Sequence, residues 1–167
     1  MGFVSDFASM GRDFVKRTTI GEHIDNALQQ VGRLCHTGQL DEAHKWSVVV
    51  VTAHNDCHTL AETCAKVAFV AFALTYTLPF LFGSLFSSIT LTSLALCVLT
   101  HDVAKIIDRF AKLDEGDRSL IPSFNGCSTM AARLNFMTQS TTFLKFVPTG
   151  WVEKLGSALA FIPRESV

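Results

Sequence analysis

His54, Cys57 and His58 stand at i, i+3 and i+4, which places three soft or borderline ligands on one side of a helix. Imidazole and thiolate at that spacing suit zinc or another transition metal. A structural zinc site needs a fourth ligand and a catalytic one wants a carboxylate close by. Asp56 and Glu62 are near in sequence but fall elsewhere on the helical wheel. His44 precedes His58 by fourteen residues and so shares its face, yet it lies ~21 Å away along a helix. Polar residues on a solvated or inter-helix face account for the set, and no metal site is expected. Cys35-His36 is an isolated pair, and Asp114, Glu115 and Asp117 are ordinary acids of a loop. The chain contains no G-x-S-x-G, P-loop, Gly-rich dinucleotide turn or H-E-x-x-H. The expectation is therefore a protein that is not an enzyme, with no catalytic residue, no cofactor and no small-molecule substrate.

The composition points toward lipid. Of 167 residues, 49% are hydrophobic and only 17% charged, against about 25% charged in an ordinary soluble domain. Fourteen Phe stand against a single Tyr, so the aromatic area comes almost without polar handles. Fourteen bases and fifteen acids leave a net charge of −1, which excludes nucleic-acid binding by bulk positive charge. The five cysteines (Cys35, Cys57, Cys64, Cys97 and Cys127) are odd in number and irregular in spacing, as free thiols in a reducing compartment would be. Residues 1–17 read as no cleavable signal peptide, because Asp6, Arg12, Asp13, Lys16 and Arg17 interrupt them. Asp6 also stands where an N-myristoylation pattern wants Ser or Thr.

Positions 67 to 100, thirty-four residues, carry no charged side chain and no histidine. One straight helix of that length would reach ~51 Å, well beyond the ~30 Å of a bilayer's hydrocarbon core. Pro79 and Gly83 sit at the middle, so the run divides into Val67–Phe82 and Ser84–Thr100. Two helices joined by a turn around Pro79, Phe82, Gly83 and Ser84 follow. Each lobe is short for a span, which leaves both a full crossing and a re-entrant hairpin open. Ala61, Ala65, Ala68 and Thr75 make one stripe of small residues, and Ser87, Thr90, Ser93, Cys97 and Thr100 make another. Such stripes let helices approach closely in lipid, and the expected contact is helix one on helix two.

The flanks read as amphipathic helices. Phe3, Phe7, Met10 and Phe14 share one helical face. A capping box at Thr19–Glu22 opens a second helix, with Ile20, Ile24, Ala27, Val31 and Leu34 on its apolar side until Gly38. Ala43, Trp46, Val50, Ala53, Cys57, Leu60 and Cys64 recur at alternating steps of three and four, a heptad-like coiled-coil face on a helix that runs from Leu40 to Leu78. The β-branched run Val48–Val51 leaves a strand open there. An apolar stripe of this kind in water calls for a partner, so these seven residues are the expected partner-binding face. Leu99, Val103, Ile106, Phe110 and Leu113 carry the second lobe past the membrane. Asp114–Thr129 reads as a loop. Met130, Leu134, Met137, Thr141 and Leu144 predict a helix ending near Pro148. Trp151–Ile162 fits either a helix flat on the membrane, anchored by Trp151, or one packed on the stalk.

The expected fold is all-α, a two-helix transmembrane hairpin with flanking amphipathic helices projecting to one side. It divides into residues 1–38, a hairpin over 39–113 with its embedded core at 67–100, a loop over 114–129 and C-terminal helices over 130–167. Lys66, Lys105, Arg109 and Lys112 flank the side carrying both termini, which the positive-inside rule places in the cytosol. Cys35 and Cys127 are then expected to label with an impermeant thiol reagent from that side, while Cys97 stays silent.

The bilobed hairpin (Val67–Phe82, the turn Phe82-Gly83-Ser84, and Ser84–Thr100) resembles that of the chlamydial inclusion membrane (Inc) proteins, a family defined by this architecture. The resemblance covers the thirty-four apolar residues and carries over no functional residue. It implies secretion into a vacuolar membrane and recruitment of host partners by the exposed helices. Reticulon-type hairpins share the architecture. The leading expectation is a membrane-anchored interaction protein whose partners are the bilayer and another protein or a second copy of itself. A membrane-shaping wedge or pore-former, and a soluble bundle that buries the hairpin, are the alternatives.

Overall fold

The computed structural model describes residues 19–39, 47–158 and 162. Every regular element among them is helical. In chain order these are α1 (Thr19–Thr37), α2 (Ser47–Thr77), α3 (Pro79–Asp114), α4 (Ile121–Asn125), α5 (Met130–Thr138), a 3-10 turn (Leu144–Phe146) and α6 (Thr149–Ala158). The apolar repeat at Phe3–Phe14 and the heptad positions Ala43 and Trp46 lie outside the described residues.

The two long helices form an antiparallel hairpin. Its corner is tighter than the turn expected around Pro79–Ser84 and falls at that turn's leading edge. Leu78 alone breaks the helix, at φ −127° and ψ 50°, while its N–H still bonds Leu74 O at 2.9 Å to close α2. The cause is Pro79. A proline ring disfavours helical ψ at the residue before it, while its own fixed φ and missing N–H suit the first turn of a new helix. Gly83 and Ser84 therefore belong to α3. Val48–Val51 lies in α2 and not in a strand. With no strand among the described residues to offer a ladder, local β preference is overridden by the helix that continues through it.

At the end remote from the corner, the hairpin carries a helical head. Ile24, Ala27, Leu28, Val31 and Leu34 of α1 meet Ala53 and Cys57 of α2 and Ile106, Ile107, Phe110 and Leu113 of α3 in one buried cluster. Phe124, Leu134, Phe136 and Met137 complete it from α4 and α5. The apolar repeats read from the sequence on α1 and on the far half of α3 are thus the faces that build this core. Gly38 ends α1 at φ +72°, its N–H bonded to Leu34 O at 2.8 Å. A Cβ there would overlap the Arg133 guanidinium. That guanidinium donates from Nη1 to Cys35 O and His36 O at 3.1 and 3.3 Å and from Nε to Cys127 O at 3.0 Å. It satisfies carbonyls that the end of α1 leaves free and joins α1 to α5.

Two expectations for the C-terminal part change. The 114–129 loop contains a helical turn, α4, started by Pro122 and anchored by the buried Phe124. The helix expected from Met130 to Leu144 ends at Thr138, and Leu144 begins a separate 3-10 turn. The buried Thr141 hydroxyl donates to Thr138 O at 2.6 Å, and the amides after it leave the helix for a side-chain acceptor on α3.

Candidate functional site

Below the head the hairpin is packed the opposite way to a soluble protein. Its seam is made of small or weakly polar residues: Ala61, Ala68 and Ala71 of α2 are buried with Thr90 and Ser93 of α3. The Thr90 hydroxyl donates to Phe86 O at 2.8 Å, so it brings no unpaired polar group into the seam. The large apolar side chains point outward instead, with Phe69 74% and Leu91 69% exposed and Val70, Phe72, Tyr76 and Leu85 exposed beside them. Val51–Thr77 and Gly83–Asp114 are long and apolar enough to cross a membrane, and only 17% of the most apolar stretch of each is buried in the chain. A core helix of a soluble bundle would hide most of that surface. The groove between the helices, about 360 Å³, is walled by Val67, Val70, Ala71, Leu74, Phe86 and Ile89, with Lys66 as its one charged residue. Lys66 pairs with Glu62 at 2.7 Å. Ala65 and Ser87, expected in the small-residue stripes, are exposed.

The uncharged run is closed by a buried carboxylate. Asp102, two residues beyond Thr100, is 0% exposed. Its Oδ1 accepts Thr142 N–H at 2.6 Å, and its Oδ2 accepts Phe143 N–H at 2.8 Å and Leu144 N–H at 2.9 Å. Lys105 Nζ, one turn on, donates to Thr142 Oγ1 at 2.9 Å. Three successive backbone donors converging on one carboxylate form the opening of the 3-10 turn, and they are what diverts the chain from the helix expected there. Nothing in the sequence around Asp102 signals this role, because its partners lie forty or more positions later.

The heptad face is largely occupied by the chain itself. Ala53 and Cys57 are fully buried in the head core, Leu60 packs against it and Cys64 is half-buried. His23 Nδ1 donates to Asp56 Oδ2 at 2.9 Å, locking α1 onto this side of α2. The unpartnered stripe expected at these positions is thus covered where the structure describes its side chains, and the cover is α1 and α3. A face read on one helix cannot reveal that a helix elsewhere in the same chain lies across it.

The possible ligand set is divided by the same packing. Cys57 turns into the core, while His54 and His58 stay at the surface with ring centroids 4.6 Å apart, edge to face. His101 of α3 approaches His58 with centroids 6.3 Å apart. Among the described residues no group of three or more His, Cys, Asp or Glu is placed to hold a metal ion.

Of the two cysteines expected to label, Cys35 is fully buried, and burial pushes its thiol up to about 12 against the pull of Arg133. At neutral pH it is both hidden and protonated, and the thiolate is the reactive form. In the folded protein, N-ethylmaleimide at pH 7.5 should modify the half-exposed Cys127 and spare Cys35 until denaturant is added. Intact-mass analysis with peptide mapping reads this, and early labelling of Cys35 would show that the head opens.

These features define an all-α protein whose outward-facing apolar hairpin stands under a small helical head. No family model matches the chain, and no match is found among curated proteins or solved structures.

Proposed function

We propose that the protein is a non-enzymatic membrane anchor and scaffold, its hairpin in a bilayer and its head displayed on one face for a protein partner or a second copy. The observation that carries this reading is the inverted packing of the hairpin, with small residues in the seam and large apolar ones outside. In water, those outward Phe, Leu and Val side chains would form a contiguous patch of the kind that drives aggregation; in lipid they are in their own solvent. Lys66 and Lys105 sit at the head-side ends of the uncharged run, where long basic side chains reach the interface and favour a cytosolic head. The resemblance to chlamydial inclusion membrane proteins extends the proposal to a vacuolar membrane facing a host cytosol. What such a scaffold offers a partner is the outer surface of the head, since Ala53 and Cys57 are enclosed.

Alkaline carbonate treatment of membranes from expressing cells tests the anchor. The full chain should stay in the pellet and need detergent for release. Release by carbonate, followed by monodisperse behaviour in plain buffer, would replace the proposal with a soluble bundle.

A further inference from the structure

The head carries a second apolar feature that its own core does not explain. In the segment from Thr142 to Lys154, Leu144 and Val152 face inward and are buried. Phe143, Phe146 and Trp151 are exposed, Phe146 at 77%. Two cations accompany them, with Lys145 Nζ 4.9 Å from the Phe146 ring centroid and Lys154 Nζ 5.9 Å from that of Trp151. The height of its first three residues on the molecule is set by Asp102, which holds the amides of residues 142–144 against α3. Asp102 is two residues beyond the end of the uncharged run, ~3 Å along a helix. Phe143, fixed at that level, and Phe146, in the 3-10 turn that follows directly, lie at the headgroup layer of any bilayer that contains the hairpin, and Trp151 follows on α6.

We infer that Phe143, Phe146 and Trp151, with Lys145 and Lys154, form an interfacial platform that beds onto the membrane and takes anionic phospholipid headgroups. The inference rests on the bilayer reading of the hairpin and names the lipid chemistry that the head adds to it. Three features select a lipid surface over a protein partner. Phe143, at the start of the platform, is tied through its own amide to Asp102, two residues beyond the apolar run. Aromatic rings with lysines beside them match the composition of membrane-interface belts. The charge is complementary as well: Asp102 is enclosed by its three amides and Lys105 lies at the same level, leaving Glu153 as the one acid between Thr142 and Lys154.

The test uses the full chain with Trp46→Phe, so that Trp151 is the sole tryptophan, reconstituted in vesicles of phosphatidylcholine and phosphatidylglycerol. Bromine is placed on the acyl chains of one lipid or the other. Trp151 emission should be quenched by both, with brominated phosphatidylglycerol favoured about fivefold or more, the gain expected of a lysine at an anionic surface. The Lys145→Gln/Lys154→Gln variant should bring that preference to about one while the quenching itself persists. Equal quenching by both lipids in the parent protein would overturn the headgroup assignment. Unquenched Trp151 in protein that floats with the vesicles would overturn the platform and leave the hairpin anchor standing. Protein that does not float would remove both.

Discussion

Replacing Asp102 by alanine should destabilise the head by about 3–5 kcal/mol, the largest effect expected of any single substitution outside the apolar core. The carboxylate accepts three backbone N–H groups from Thr142, Phe143 and Leu144, and among the described residues no other acceptor bonds them. Hydrogen bonds to a charged group contribute about 1.5–3 kcal/mol each, and water at the exposed Thr142 and Phe143 recovers part of what is lost. Asp102→Asn keeps one acceptor oxygen but turns an NH2 toward a donor, so it should cost less than alanine and more than nothing. Urea unfolding in mild detergent, followed by far-ultraviolet circular dichroism, measures the difference. Amide exchange at residues 142–144 localises it, and a midpoint unmoved in both variants would show that the clamp contributes nothing to the fold.

Charging the outer face of the hairpin should abolish membrane residence. Phe69→Lys and Leu91→Lys place ammonium groups on surfaces that are 74% and 69% exposed in the isolated chain. In a soluble protein, substitutions at such positions fall within about 0.5 kcal/mol of neutral and improve solubility. In lipid, a lysine at Leu91, midway along its lobe, costs about 2.5–3.5 kcal/mol, and one at Phe69, closer to the Lys66 end, adds a smaller cost. Vesicle flotation separates the two outcomes: the double variant should be left at the bottom of the gradient while the parent rises. Flotation of both, or a better-behaved soluble variant, would contradict insertion. The complementary change, Ser93→Leu in the buried seam, should keep the protein in the membrane but force the helices apart, at about 1–3 kcal/mol of overpacking.

The parts of the fold legible in the sequence are those governed by local rules. The absence of charge from Val67 to Thr100, the hairpin around Pro79, and the apolar repeats Ile24–Leu34 and Ile106–Leu113 all correspond to observed elements. Where the reading departs from the structure, a nonlocal or position-specific effect is responsible. The corner falls at Leu78 because proline acts on the residue before it, while Gly83, with no positive φ to adopt, is an ordinary helical residue. Leu144 is apolar and well spaced from Met137, yet it belongs to a different turn because Asp102 captures its amide. The helix Ile121–Asn125 inside the expected loop needed only Pro122 as a start signal and Phe124 as an anchor, and both are visible in hindsight.

Hydropathy, proline placement and apolar periodicity were enough to specify an all-α chain with a two-helix apolar hairpin, because backbone preference and transfer to lipid are properties of short segments. Which faces are free was decided only when the segments met. Ala53 and Cys57 read as a surface awaiting a partner until α1 covered them, and Asp102 is in sequence only the first acid after the apolar run, whereas in space three distant amides converge on it. Burial and hydrogen-bond satisfaction are sums over neighbours in space. A helix carries its own periodicity in its sequence, but the identity of what lies across from it comes from the rest of the chain.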